Sequence, residues 1–322
     1  GENSKAGWSL PGMIEAAVIM NKTAMTAGNP YTHGQNVIGN GVFLWAAGWN
    51  PLDTKNFQTV RSAGKAYVQW SKAEKEGKLV SQLDLGTLTT DAGKTINIAE
   101  EIADPIVRGI ILESNLMEAE GLGALERLLE RADDSQLFLK AVLKGAKKVA
   151  QKTGLAKASR LYMAEDDVTK LSYYLGMRQK GMSRQLAALE VSRRLPMYSH
   201  IGRTIKKSRQ WIYPWMSFPV EAMRITKNNL MDNPMRQIML FHAHKGLQAM
   251  AYPFMEESSQ GIEESKRNLP MWGQRPGRTI MTPFKDSNDN LRSMTLNWLP
   301  HTAMLPGTDA PVHPVSVAHH ME

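Results

Sequence analysis

The stretch TKNFQTVRSAGKAYVQWSKAEKEGK, residues 54–78, sets the fold class. Phe57, Val60, Ala63 or Gly64, Tyr67 and Trp70 recur at intervals of three and four, with polar and charged residues between them, which is the pattern of an amphipathic α-helix. Helical patterns continue on both sides of it. Upstream, Leu10 to Ala27 carries Met13, Ala17, Met20 and Ala24 at helical spacing and stops before Asn29-Pro30. Downstream, helices are expected over Ile98–Glu120, Ala124–Leu139, Leu139–Thr153 and Leu155–Gly176. Ser183 is placed to cap a helix from Arg184 to Leu195, and Pro196 ends it. Val220–Asn229 is helical again, and Pro234 opens Met235–Met250. Leu79 to Asn97 is less regular and suits a turn or a short hairpin.

After residue 252 the texture changes. Eight of the 16 prolines lie between Pro253 and Pro314, too many for regular helix. The expectation is a mainly α, elongated multi-helix assembly with an irregular Pro-rich C-terminal arm. Its regions are an N-terminal helical one over 1–160, a central one over 161–252 containing a basic aromatic junction, and the arm over 253–322.

Composition narrows the function classes. The 322 residues include 20 methionines against 7 phenylalanines, and methionine suits surfaces that repack on partners. There is no cysteine, which excludes disulfides and thiolate metal sites. Charge is distributed in blocks: residues 101–135 carry 3 Lys+Arg against 9 Asp+Glu, and residues 136–160 carry 7 against 0. Adjacent blocks of opposite sign suit helices or subunits that pair their charges. The chain begins GENSKAGWSLPGM, without an initiator methionine, which is expected of a piece cut from a longer polypeptide.

From Thr23 to Leu52 no Asp, Glu, Lys or Arg occurs, and the run includes VFLWAAGW at 42–49. Asn29, Pro30, Asn36, Asn40 and several glycines interrupt it, and its apolar run falls short of the ~20 residues of a membrane-spanning helix. Phe43, Trp45 and Trp49 are therefore candidates for membrane or core contact, with burial between helices preferred.

Motifs for chemistry fail on inspection. Ala92-Gly93-Lys94-Thr95 copies the end of a phosphate-binding loop, but Leu88 stands where such a loop needs its first glycine. Gly121-Leu122-Gly123 lacks the third glycine of a dinucleotide fingerprint. His242 and His244 point to different sides of a helix and make a poor metal pair. The successive acids Glu165, Asp166 and Asp167 diverge around a helix, and pairing with Lys170 or Arg160 accounts for them. No catalytic, cofactor-binding or metal-binding set is assigned, and a non-enzymatic role is expected.

A sharper signal lies in YSHIGRTIKKSRQWIYPWMSFPVEAMR, residues 198–224. Arg203, Lys206, Lys207 and Arg209 concentrate positive charge beside the aromatics Trp211, Tyr213 and Trp215, while Pro214 and Pro219 forbid one unbroken helix. Cations could neutralise phosphates and rings could stack on bases, which suits nucleic acid. An acidic neighbouring protein would meet the same surface, and the rings beside prolines favour that protein contact.

Two separated patterns resemble one family. Asn29-Pro-Tyr-Thr-His-Gly-Gln-Asn-Val-Ile-Gly-Asn40 is similar to a recurring pattern in very large phage-encoded proteins. Glu165-Asp166, Gly181-Met182-Ser183, Ala187, Val191, Tyr198, Arg209 and Pro214-Trp215 follow the succession of the helical region of phage polyvalent proteins, with Pro-Trp where Pro-Phe is more familiar. Together they cover about residues 29–220. The resemblance implies a structural internal virion or ejection protein of a tailed phage, assembled symmetrically as a homo-oligomer at the portal and tail axis to assist genome delivery. The implied partners are portal or tail components, genomic DNA and, after ejection, the host membrane. The implied location is the capsid interior or portal and tail vestibule, then the host envelope. The alternatives are a DNA-binding virion protein and a non-catalytic fragment of a larger phage-encoded enzyme.

Overall fold

The computed structural model describes residues 30–111, 154–197, 217–255, 259–267, 279–287 and 291–295, with a few isolated positions between them. It is mainly helical, with two small antiparallel hairpins. The expected helices at 10–27, 124–139 and 139–153 lie outside the described residues.

Helix α1 runs from Pro30 to Ala46 and α2 from Thr54 to Lys75. A hairpin of β1 (Thr87–Thr89) and β2 (Thr95–Asn97) follows, then short α3 (Ile98–Ala103) and α4 (Pro105–Ile111). The one helix expected from Ile98 is thus two, because Pro105 supplies no N–H and its ring clashes within a continuous helix. After 154 come α5 (Leu155–Gln179), α6 (Arg184–Arg194), α7 (Ser217–Asp232), α8 (Pro234–Ala251) and α9 (Ser259–Arg267). A second hairpin pairs β3 (Thr279–Lys285) with β4 (Leu291–Thr295).

Within the uncharged run that Asn, Gly and Pro interrupt as an apolar span, residues 30–46 form the continuous helix α1. Pro30 occupies its first position, where a missing N–H costs nothing. Each helical glycine disfavours it by about 1 kcal/mol, and burial of the next stretch outweighs that: Phe43, Leu44 and Ala46 are buried. The helix ends at Gly48, whose φ is +93°. Gly48 N donates to Trp45 O at 3.0 Å and Trp49 N to Leu44 O at 2.9 Å, a Schellman stop that turns Trp49 inward. The same paired bonds end α5, from Gly181 N to Arg178 O and from Met182 N to Met177 O.

Helix α5 is the axle of the molecule. Lys170, Leu171, Ser172, Tyr173, Tyr174, Leu175 and Met177 are all buried, so this stretch is enclosed on every side rather than on one stripe. The main core joins Phe43, Leu44 and Trp49 of the α1 region, Ala63, Ala66 and Trp70 of α2, Ile98, Ile102 and Ile111 of α3 and α4, and Ala187, Val191 and Ile225 of α6 and α7. It therefore takes side chains from both sides of position 160. Phe57 departs from its expected place on the inner face of α2 and is exposed, because Thr59, Ala63, Ala66, Trp70 and Ala73 define that face.

The C-terminal arm read as irregular contains α9 and the β3–β4 hairpin. Proline is accommodated there by geometry: Pro283 falls where the register shifts between Met281 and Lys285, so the missing N–H removes no ladder bond. Ile280 packs with Ala46 and Leu240, and Met281 with Ile262 and Leu291, forming small cores beside the main one.

Candidate interaction surface

Polar side chains between helices settle what the acidic triplet does. Successive residues on α5 point about 100° apart, and each acid finds a different partner. Glu165 faces α1, where His33 Nδ1 lies 2.6 Å from its Oε1 and Asn36 Nδ2 donates to its Oε2 at 3.3 Å. Asn40 Nδ2 in turn reaches Asn36 Oδ1 at 3.5 Å, and the Tyr162 ring meets His33 edge-on at 5.5 Å. Asp166 pairs with buried Lys170 at 2.8 Å. Asp167 accepts from Tyr67 of α2 at 2.8 Å. The seam thus brings His33 and Asn36 against Glu165 from far away in sequence; Glu165 and Asp167 reach other helices, while Asp166 pairs within α5. Burial raises the Tyr162 phenol, and the nearby Asp166 and Glu165 add to the rise.

A second buried hub is Glu101. The Tyr174 hydroxyl donates to it, Arg178 contributes Nε at 2.9 Å and an Nη at 3.0 Å, and Arg184 Nε lies at 3.1 Å. Burial alone would raise the Glu101 carboxyl, but the hydrogen bonds from Arg178, Tyr174 and Arg184 outweigh it and hold the group below the usual carboxylate range. Burial, and the bond to that carboxylate, raise the Tyr174 phenol well above its ordinary value.

Of the apolar candidates, Phe43 and Trp49 are buried in the main core. Trp49 packs on Tyr173 at 5.8 Å and directly over Gly176. Trp45 is partly buried beside the Ala46, Leu240 and Ile280 cluster, with the Arg236 guanidinium 5.6 Å from its ring centre. Core contact is therefore the reading that their positions support. Among the described residues, no helix is long and apolar enough to cross a membrane.

The basic and aromatic candidates Arg203, Lys206, Lys207, Arg209, Trp211, Tyr213 and Trp215 lie outside the described residues. What precedes and follows them is tied together. Met197 N donates to Glu221 at 2.7 Å, Arg224 donates to Leu195 O at 2.8 Å, and Arg194 reaches Asn229 at 2.9 Å and Asp232 at 2.6 Å. Chain entry to and exit from the 198–216 stretch therefore lie side by side.

Lys94 and Thr95 belong to the β1–β2 hairpin, with Gly93 at φ +79° in its tight turn, closed by Thr90 N donating to Lys94 O at 2.8 Å. Three residues of extended strand and a hairpin turn do not make the strand-to-helix loop that cradles phosphate. His242 is exposed on α8, and no group of three or more His, Cys, Asp or Glu suited to a metal ion occurs among the described residues.

Sequence reasoning passed over α8 itself, whose polarity is inverted. Gln237, Leu240 and Gln248 face the protein and are buried; Gln248 donates to Met281 O at 3.3 Å and accepts from Met281 N at 3.0 Å. The opposite side carries Met235 (67% exposed), Ile238 (43%), Met239 (54%) and Met250 (70%), beside exposed His242, Gly246 and Ala249. These positions fall within an arc of about 120° at the helical pitch, and none is a Lys, Arg, Asp or Glu. Met231 near the end of α7 and Phe254 after α8 are also exposed. The signal was available as a low-charge helix with glutamines on one side and methionines on the other, but which side faced inward was not.

Comparison with known proteins finds no matching family model, no similar curated protein and no similar solved structure.

Proposed function

We propose that this chain is a structural internal virion or ejection protein of a tailed phage, a non-catalytic helical module that assembles with its own copies and with portal or tail components and assists genome delivery. The observation that carries the reading is the inverted helix α8, which turns its glutamines inward and a methionine-rich face outward. Exposed contiguous apolar surface marks a place where another molecule docks, and methionine adapts to the shape it meets. The contact of His33 and Asn36 with Glu165 supports it further, since both stretches carry the resemblance to phage polyvalent proteins. In this reading the protein sits in the capsid interior or the portal and tail vestibule, and reaches the host envelope after ejection.

The test is mass spectrometry of purified particles before and after triggered ejection. The chain is expected inside full virions and depleted from emptied ones. Its absence from particles overturns the proposal.

A second reading makes genomic DNA the partner of the 198–216 stretch, which carries Arg203, Lys206, Lys207 and Arg209 and no acidic residue. Replacing these four cations by Ala should weaken binding to duplex DNA and flatten its salt dependence, the log–log slope falling by up to about 0.9 for each phosphate that is no longer neutralised. Unchanged affinity and slope would leave protein contact as the role of that stretch.

A further inference from the structure

Helix α2 has two unlike faces. Thr59, Ala63, Ala66, Trp70 and Ala73 are buried, while the outward side presents Arg61, Lys65, Lys72 and Lys75 together with Phe57 and Val68, both more than half exposed. At the helical pitch these six outward residues fall within an arc of about 80°. Leu52, 83% exposed, stands just before the N-cap residue Asp53, so Leu52 and Phe57 occupy the two positions that adjoin in a hydrophobic staple. An Asx turn fixes that end, with Leu52 N donating to Asn50 Oδ1 at 3.1 Å and Asn50 Nδ2 to Asp53 at 2.8 Å. Acids around the helix already have partners: Asp91 has Lys55, Glu74 has Arg108 and Glu76 has Lys78. Arg61, Lys65, Lys72 and Lys75 make no ion pair among the described residues.

We infer that this face of α2 docks the protein on an anionic membrane surface, with the four cations against lipid phosphates and with Leu52, Phe57 and Val68 in the boundary between headgroups and acyl chains. A helix of 22 residues offers a strip about 33 Å long that can lie flat on such a surface. Lysine and arginine keep their charge among the headgroups while their stems pass over apolar surface. Large apolar side chains set beside unmatched cations are the composition of a helix that lies in a bilayer interface. Duplex DNA would use the cations but leave the three apolar groups in water. Protein interfaces are depleted in lysine, which supplies three of the four cations here. The contact is with the surface, since among the described residues no helix is long and apolar enough to cross a membrane.

The inference rests on the role proposed above and deepens it, naming the face that meets the host envelope after ejection. Full-length chains are floated with vesicles of phosphatidylcholine alone and of its equal mixture with phosphatidylglycerol. Binding is expected with the mixture only, and should weaken as salt rises. Lys65→Gln, Lys72→Gln and Lys75→Gln together should reduce it about a hundredfold, at roughly fivefold for each cation near an anionic surface. The control, Lys144→Gln, Lys148→Gln and Lys152→Gln together, removes equal charge from exposed helical lysines elsewhere in the chain and should reduce binding by less than about tenfold. All six lysines are exposed, so the melting temperatures of both variants should match the parent's. The chain contains no cysteine, so a polarity-sensitive fluorophore can be placed at a single position. On Phe57→Cys or Val68→Cys it should shift to the blue and be quenched by nitroxide-labelled lipid in the mixed vesicles. On Leu189→Cys, an exposed position of α6, it should do neither.

Equal weakening by the two lysine triples, or a fluorophore at position 57 that stays in water, overturns the docking face. Intact vesicle binding with lost affinity for duplex DNA in the Lys65, Lys72 and Lys75 variant overturns it in favour of a nucleic-acid contact, and with lost affinity for polyglutamate in favour of an acidic protein. In each of these cases the chain's presence in particles leaves the virion role standing. Vesicle binding through α2 by a chain missing from particles supports the membrane face and removes the virion role.

Discussion

Gly176 lies in the last turn of α5, where the Trp49 indole occupies the volume of a side chain. A Cβ at that position would come within 2.6 Å of Trp49 Nε1. Since Trp49 is held by the Schellman turn at Gly48 and by Tyr173, it has little room to retreat. Gly176→Ala is expected to destabilise the protein by about 1–3 kcal/mol despite alanine's better helix propensity, read from denaturant midpoints. Glu101 sets a second limit at this scale. Its folded carboxyl is held below the ordinary value of 4.5, so its stabilising contribution is complete above that value and is lost as pH falls through the lower, folded one. Glu101→Gln should lower stability near neutral pH by on the order of 3 kcal/mol, because it leaves the Arg178 and Arg184 guanidinium groups without their carboxylate. The same variant should show a flatter loss of stability below pH 4.5 than the parent. A parallel acid limb in both proteins would remove Glu101 from that role.

At the scale of elements, what joins helices is as much polar as apolar. Helix α1 meets α5 through His33, Asn36 and Glu165 at its start and through Phe43, Leu44 and Trp49 at its end. His33→Ala removes the contact to Glu165 at the start alone. It should speed amide exchange in the first turns of α1 while leaving the stretch near Phe43 protected, with a global cost of about 1–3 kcal/mol. Helix α6 offers a simpler case. Ser183 Oγ accepts from Leu186 N at 3.3 Å, so Ser183→Ala should cost about 1 kcal/mol. Ser183→Asp, which keeps the acceptor and suits the helix dipole, should restore most of it.

For the whole molecule, the main core and the cores near the C terminus differ in size, and stability should follow. Helices α2 and α5 enclose Trp70, Tyr173 and Tyr174, whereas β3 and β4 rest on clusters around Ile280 and Met281. Hydrogen exchange is expected to show the longest protection in α2 and α5, with β3 and β4 opening first. Equal protection throughout would mean that these clusters form one cooperative unit.

Local chemistry reached far in this chain. Apolar spacing placed α2, the serine and proline signals bounded α6 and opened α8, and the irregular composition of 79–97 pointed to its hairpin, because each of these depends on residues within a few positions of one another. The divergence of Glu165, Asp166 and Asp167 was equally readable, being a property of helical pitch. Only the tertiary structure could say where each acid pointed, that α1 stays helical through its glycines, that Phe57 faces out while Trp49 faces in, and that Pro283 meets a register shift. The inversion of α8 belongs with these. By its own polarity, a helix with glutamines on one side and methionines on the other would bury the methionines. Partners distant in sequence, here Met281 bonding both ends of the Gln248 amide, decided which side the protein buried and which it left exposed.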